Sequence, residues 1–327
     1  MNAQVKENIQ KINQRLEAYE FGHEPTALYE PIRYILSLGG KRLRPLLTLL
    51  AYQLYHEGEI DDDVLLPALS IEVFHNFTLM HDDIMDKAPL RRGKPSVHEK
   101  WNANVAILSG DVMLVKAYDL LLGVAPEKLT HVLRAFNHCA AEVCEGQQWD
   151  MNFESRTQVS EEEYLQMIRL KTAVLLGLSL QLGGMLAGAS EQDCGLLYEF
   201  GVNIGTSFQL KDDLLDVYAD QAKFGKQVGG DIIVNKKTFL LITALESANA
   251  AQKAELEEWI SRQEFDKEEK VAAVKAIYDA LNIRQLTERK MNEYFDLGLQ
   301  KLQQISVNPD KRENLRQFAE QLMAREK

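Results

Sequence analysis

Phe77-Thr78-Leu79-Met80-His81-Asp82-Asp83-Ile84-Met85-Asp86 and Ser207-Phe208-Gln209-Leu210-Lys211-Asp212-Asp213-Leu214-Leu215-Asp216 are two versions of one pattern, an apolar helical lead-in ending in D-D-x-x-D. On a helix the first and last Asp of each motif lie on one face, one turn apart, and the middle Asp widens the anionic surface. Three crowded carboxylates repel one another and are poor helix formers, so each motif calls for cationic compensation. Hard oxygen donors suit Mg²⁺, which takes one or two carboxylates and completes its shell with water and phosphate oxygens. An EF-hand calcium loop is disfavoured, because the alternating ligands and the central Gly are missing.

Outward from these motifs the periodicity stays helical. Ile9, Ile12, Leu16 and Tyr19 recur at three- and four-residue steps, and Leu165, Ile168, Leu175 and Leu178 continue the pattern. No sustained strand-like alternation appears. Breaks are expected at Gly39-Gly40 with Pro45, at Gly58 before the acidic run 61–63, at Pro89 to Pro95, near Pro126, and across Phe224 to Asp231. The length of 327 residues alone suggests two domains. With no low-complexity linker and no short-period repeat, one all-α domain over residues 1–327 is the expectation. Only 19 Gly and 8 Pro leave little for the turns of an all-β fold.

The net charge of −12 argues against a nucleic-acid binder, which needs a basic face. An anionic substrate would need local positive charge, and the chain supplies it. Gly39-Gly40-Lys41-Arg42-Leu43-Arg44-Pro45 puts three cations at a glycine turn, and Arg91-Arg92-Gly93-Lys94 puts three more just after the first aspartate motif. Arg forks bind phosphate oxygens bidentately, and Lys acts as a point charge. His75 stands two helical turns before Asp82 on the same face, ~10 Å along the axis. Cys139, Cys144 and Cys194 form no C-x-x-C pair and read as small buried residues in a reducing compartment. The N-terminus has no apolar signal core. The most apolar stretch, Val174 to Ala189, is interrupted by Ser179, Gln181 and Gly183-Gly184 and falls short of the ~20 residues that span a bilayer. No transmembrane segment and a cytoplasmic location are expected.

G-G-K-R-x-R-P, D-D-x-x-D with R-R-G-K, Lys171-Thr172, F-Q-x-x-D-D-x-x-D and Gly225-Lys226, in that order, resemble the trans-isoprenyl diphosphate synthase (polyprenyl synthetase) family of the short-chain type, from about residue 25 to about residue 300. The resemblance implies the isoprenoid synthase fold, a single all-α helical bundle around a central apolar cavity. It implies head-to-tail condensation of isopentenyl diphosphate with an allylic diphosphate (dimethylallyl, geranyl or farnesyl). Three Mg²⁺ ions per site are implied, with Mn²⁺ as a substitute, and a homodimer. By the same likeness Asp82, Asp83, Asp86, Asp212, Asp213 and Asp216 ligate the metal. Arg91, Lys171, Lys226 and Lys236 contact the allylic diphosphate, and Lys41, Arg44, His75 and Arg92 bind isopentenyl diphosphate. Thr172, Phe208 and Gln209 flank the reacting carbons. The catalytic set is Asp82, Asp83, Asp86, Arg91, Lys171, Thr172, Gln209, Asp212 and Lys226.

Phe77, ~7.5 Å below Asp82 along the helix, and Phe74 one turn further down are expected to limit product length. In this family a bulky residue at the Phe77 position resembles the short-chain pattern. Thr78 is small, unlike the double aromatic of many eukaryotic farnesyl synthases, and the first motif lacks the two-residue insertion common in bacterial ones. The product is expected to be farnesyl or geranylgeranyl diphosphate, the second preferred. A longer-chain synthase, a terpene cyclase and an inactive partner subunit remain as alternatives. A cyclase usually carries an Asn/Ser/Glu-type second motif, and an inactive subunit commonly loses an aspartate motif; this chain has both motifs.

Overall fold

In the computed structural model, which describes residues 3–219 and 229–324, helix follows helix. The order is α1 (Ala3–Glu17), α2 (Thr26–Ser37), α3 (Leu43–Tyr52), α4 (Asp62–Met85), α5 (Val97–Lys100), α6 (Ala103–Leu121), α7 (Pro126–Ser155), α8 (Glu161–Ile168), a π-helical turn (Arg169–Ala173), α9 (Val174–Ala187) and α10 (Glu191–Tyr218). Then come α11 (Gly230–Ile233), α12 (Phe239–Ser247), α13 (Ala250–Ser261), α14 (Lys267–Ala280), α15 (Ile283–Gln304) and α16 (Pro309–Met323). Among the described residues the strands are one antiparallel hairpin, β1 (Leu90–Arg91) with β2 (Lys94–Pro95). Strands this short leave no alternation to read in the sequence. The fold class is all-α, as expected.

The breaks have local causes. Gly39 and Gly40 lie at φ +83° and +149°, a conformation that favours glycine, and stop α2. Pro45 sits in the first turn of α3, where its missing N–H leaves no bond unmade. Asp62 and Asp63 open α4 at the positive end of the helix dipole, where carboxylates are stabilised. Of the break expected across Phe224 to Asp231, residues 224–228 lie outside the described residues; Gly229, at φ +82°, precedes α11.

The described residues fall into two compact units. One takes the chain up to Phe136 together with Leu178–Gly195; the other takes Asn137–Gly177 and the chain from Leu196 onward. The boundaries lie inside α7, α9 and α10, so no linker marks them. In the first unit α4 packs against α3 and α6 and buries Leu69, Ile71, Phe74 and Met80. In the second, Leu214, Val217, Leu240, Trp259 and Tyr278 share one apolar cluster, and Phe153, Tyr164, Leu210 and Phe239 another. The helical run Glu161–Ala187 is long and apolar enough to cross a membrane by length and composition, but 67% of its apolar window is buried within the protein. Its apolarity is that of a core helix. Cys139 and Cys194 are buried as the sequence suggests, whereas Cys144 is exposed, contrary to that expectation, because it lies on the outward face of α7.

Candidate active site

In the first unit the candidate residues gather on the last turns of α4. Asp82 and Asp86 are half-buried and exposed, while Asp83 is buried. Asp86 closes the helix, its N–H donating to the Asp82 carbonyl at 2.8 Å. Anions at a helix C-terminus face the negative end of the dipole, so this placement costs energy unless cations answer it. Arg91 supplies one. Its Nε lies 3.1 Å from both Asp83 oxygens, and its Nη2 donates to Oδ1 at 2.6 Å. The β1–β2 hairpin brings Arg91 back to α4 through Arg92 and Gly93, whose φ values of +53° and +75° suit a tight two-residue turn.

Arg92 then turns toward the glycine turn before α3. A Cβ on Gly40 would lie 3.0 Å from two Arg92 guanidinium nitrogens, so a side chain there would crowd them. On α4, His75 Nε2 accepts from Arg44 Nη1 at 3.0 Å. Burial, and then the charges of Arg44, Arg92, Arg91 and Arg42, hold the His75 pKa well below the ordinary histidine value. The ring is therefore neutral, with its proton on Nδ1. Arg44, His75 and Arg92 thus come together, with Lys41 exposed at their edge.

Arg42, the middle cation of the turn, does something else. It is 6% exposed, and its Nη1 donates to Glu72 on α4 at 2.7 Å. Its Nε reaches Asn13 Oδ1 at 3.1 Å and its Nη2 the Leu36 carbonyl at 3.0 Å. The buried pair pins the turn to the helix that carries His75 and the first aspartate motif.

In the second unit the candidate residues lie on α10 and the π-helical turn. Lys171 and Thr172 lie in that turn, where the widened backbone re-aims side chains. The backbone of α7 comes so close at Gly146 that a Cβ there would meet the Lys171 nitrogen at 2.2 Å, leaving room only for glycine. One helical turn on, Asp150 accepts from Lys171 Nζ at 2.6 Å. Thr172 Oγ1 donates to Gln209 Oε1 at 3.2 Å, and Gln209 Nε2 to Asp213 Oδ1 at 3.2 Å. The buried Tyr164 hydroxyl donates to the other Asp213 oxygen. Burial, and then the Asp231 charge, raise the Asp213 pKa to about 7, against the lowering effects of Lys236, Tyr164 and Gln209. Asp212 and Asp216, half-buried, flank it near the end of α10. Asp216 Oδ2 accepts from the Asp231 N–H at 2.9 Å. Phe208 is half-buried beside Gln209, and Lys236 is exposed on the loop after α11. Lys226 lies outside the described residues.

In both motifs, then, the middle Asp is buried in protein hydrogen bonds and the outer two are the more open. The sequence reading did not anticipate Arg42 with Glu72, Tyr164, or Gly146 with Asp150. Only the G-x-x-x-D spacing of the last pair, one helical turn, hinted at a shared face. Among the described residues no three His, Cys, Asp or Glu side chains converge on a metal-sized point. The outer carboxylates of each motif, one helical turn apart and more open than the middle one, suit Mg²⁺, which needs only one or two carboxylates when phosphate and water complete its shell.

An all-α scaffold, two D-D-x-x-D helix ends and an arginine–histidine cluster suit an enzyme that handles diphosphates. The polyprenyl synthetase family model matches residues 25–280, and the chain belongs to that family. It is a prenyl diphosphate synthase of the short-chain type. It is 36% identical, over 98% of each chain, to a geranylgeranyl pyrophosphate synthase of Geoglobus acetivorans. A short chain isoprenyl diphosphate synthase of Methanocaldococcus jannaschii is 39% identical over 83% of this chain and 82% of its own. Among solved structures, a geranylgeranyl pyrophosphate synthase superposes with a TM-score of 0.94 at 43% identity, covering 99% of both chains.

Proposed function

We propose that this chain condenses isopentenyl diphosphate with allylic diphosphates to make geranylgeranyl diphosphate, acting as a single domain and as a homodimer. The observation that carries the elongation reading is the Arg44–His75–Arg92 cluster beside Lys41. It offers cations and a neutral imidazole without a carboxylate of either aspartate motif, which suits a second diphosphate bound without metal. A cyclase has no use for that second site.

Asp82, Asp83 and Asp86, and likewise Asp212, Asp213 and Asp216, would hold Mg²⁺, the middle Asp of each motif being the more buried. When bound, Mg²⁺ neutralises the charge that develops on the departing diphosphate. Arg91, Lys171, Lys226 and Lys236 bind the allylic diphosphate, fixed in place before ionisation so that little reorganisation is needed. Lys41, Arg44, His75 and Arg92 hold isopentenyl diphosphate so that its double bond attacks the allylic carbocation. Thr172, Phe208 and Gln209 flank the reacting carbons and keep water out. The departing diphosphate takes the proton lost last, and no side chain is assigned as base.

Product length rests on Phe77. Its ring centroid lies 5.7 Å from Phe74 and 4.7 Å from His81, and Phe74 lies 5.1 Å from Phe136, so the ring is held on both sides. Thr78 is small, and its hydroxyl is taken up by the His75 carbonyl at 2.8 Å. The test is incubation with labelled isopentenyl diphosphate and each allylic primer, with Mg²⁺, with Mn²⁺ and with chelator, followed by sizing the products. A C20 product that chelation abolishes is expected. No incorporation with any primer would leave an inactive partner subunit as the better account.

A further inference from the structure

Lys270 is the most deeply buried cation of the described chain, 1% exposed on the inner face of α14. The groups its ammonium touches among the described residues are neutral, although Asp231 and Lys236 line the same small cavity. Nζ donates to Asn235 Oδ1 at 2.6 Å and to the Ile233 carbonyl at 3.3 Å, and it stands 4.2 Å from the centre of the Phe265 ring. A buried ammonium usually carries a carboxylate partner, and Lys270 has none among the described residues. Burial lowers its pKa below the ordinary lysine value.

What it holds explains the cost. Asn235 lies at φ +56°, a left-handed conformation that a non-glycine residue keeps only when its surroundings enforce it. The enforcement comes from both ends of its amide, because Nδ2 donates to the Ile260 carbonyl at 3.0 Å while Oδ1 accepts from Lys270. The next residue is Lys236. Its N–H donates to the Asp231 carbonyl at 2.9 Å, and the Asp231 N–H donates to Asp216 Oδ2 at 2.9 Å. One chain of bonds therefore runs from Lys270 through Asn235, Lys236 and Asp231 to the last carboxylate of the second aspartate motif.

We propose that Lys270 is a positioning residue for the allylic diphosphate site, setting the Gly229–Thr238 loop so that Lys236 and Asp216 present themselves together. The proposal rests on the reading of Lys236 as an allylic diphosphate ligand. Lys270 touches no reacting group and works through Asn235.

The test compares Lys270→Met, which keeps the length and apolar packing of the stem, with Lys236→Ala and with the double variant. Lys270→Met is expected to raise the KM for the allylic diphosphate by about tenfold and leave the KM for isopentenyl diphosphate unchanged. Because the two lysines act in series, the double variant is expected to match Lys236→Ala rather than multiply the losses. Asn235→Gly, which keeps the left-handed backbone and removes the link, is expected to raise the allylic KM in the same sense and serves if Lys270→Met does not fold. A normal allylic KM in Lys270→Met and Asn235→Gly, beside a raised one in Lys236→Ala, overturns the proposal alone. A lower unfolding temperature with both KM values shifted alike also overturns it, since that is the signature of a general packing role. A normal allylic KM in Lys236→Ala overturns the proposal together with the reading beneath it.

Discussion

Arg42 occupies a left-handed backbone conformation, φ +50°, that costs about 1 kcal/mol or more in a non-glycine residue. Its buried pair with Glu72 and its bonds to Asn13 and Leu36 hold it there. Arg42→Met would leave the buried Glu72 without its guanidinium partner, with only the Asn76 amide donating to it at 3.3 Å, so a loss of about 3–5 kcal/mol is expected by urea unfolding. Arg42→Met combined with Glu72→Met should recover much of that loss, and a double variant as unstable as the single one would show that packing rather than charge is at stake. His75 makes a pH-dependent contribution. Its folded pKa is depressed, so below about 6.5 the unfolded chain takes up a proton there that the folded protein does not. Its share of stability is therefore intact above that pH and falls below it, by at most about 1.4 kcal/mol per pH unit. His75→Gln lacks the effect, and the stability advantage of the unchanged protein over it should shrink as urea unfolding is repeated from pH 7.5 down to 5.5. A pH-independent difference would mean that His75 titrates alike in both states. At this scale the sequence named the charged residues but not their division of labour. Lys41, Arg42 and Arg44 read alike in G-G-K-R-L-R-P, and only Glu72, far along the chain, sets Arg42 apart. Asp83 and Asp213 likewise look equal to their neighbours until Arg91 and Tyr164 are placed against them.

Both aspartate motifs end long helices, α4 and α10, where the dipole works against them. That conflict between local preference and position is what makes both motifs read as cation sites, and their placement at helix ends was legible because D-D-x-x-D follows an unbroken apolar lead-in. The π-helical turn was not readable. Leu165, Ile168, Leu175 and Leu178 keep a helical rhythm across it, and the cause lies on another helix at Gly146. Gly146→Ala would force the turn or α7 to shift, since its Cβ would stand 2.2 Å from the Lys171 nitrogen. The expected outcome is a loss of about 1–3 kcal/mol in stability, with Lys171 and Thr172 displaced and turnover cut at least about tenfold in steady-state assays. Normal kinetics would show that the α7 contact does not position the turn. Along α4 the rings of Phe74, Phe77 and His81 meet in turn, tilted and then edge-on, as a wall one ring wide. Phe77→Ala removes its middle and should lengthen the main product, read by chromatography of the dephosphorylated alcohols. An unchanged product distribution would remove Phe77 from that role.

For the molecule as a whole, the all-α class followed from periodicity, whereas the two compact units did not. Their boundaries fall within α7, α9 and α10, and an uninterrupted helix leaves no compositional mark where its packing partners change. The same limit applies to surfaces. In the sequence α6 is simply apolar, and core packing cannot be separated from an interface. In the structure Leu108, Val115 and Leu122 recur every two turns and are 58%, 58% and 61% exposed, with Ile107 beside them at 42%. Single exposed apolar residues are ordinary, but a stripe running the length of a helix marks an interaction surface. A second copy of the chain is the partner expected there, and symmetry sharpens the test. In a two-fold interface each patch meets its own copy, so Leu108→Lys with Val115→Lys brings four lysines into one contact. Sedimentation velocity at about 10 µM should give a dimer for the unchanged protein and a monomer for the double variant, with helix content kept. A dimer that survives both lysines would move the interface off α6, and a monomeric unchanged protein would end the homodimer reading.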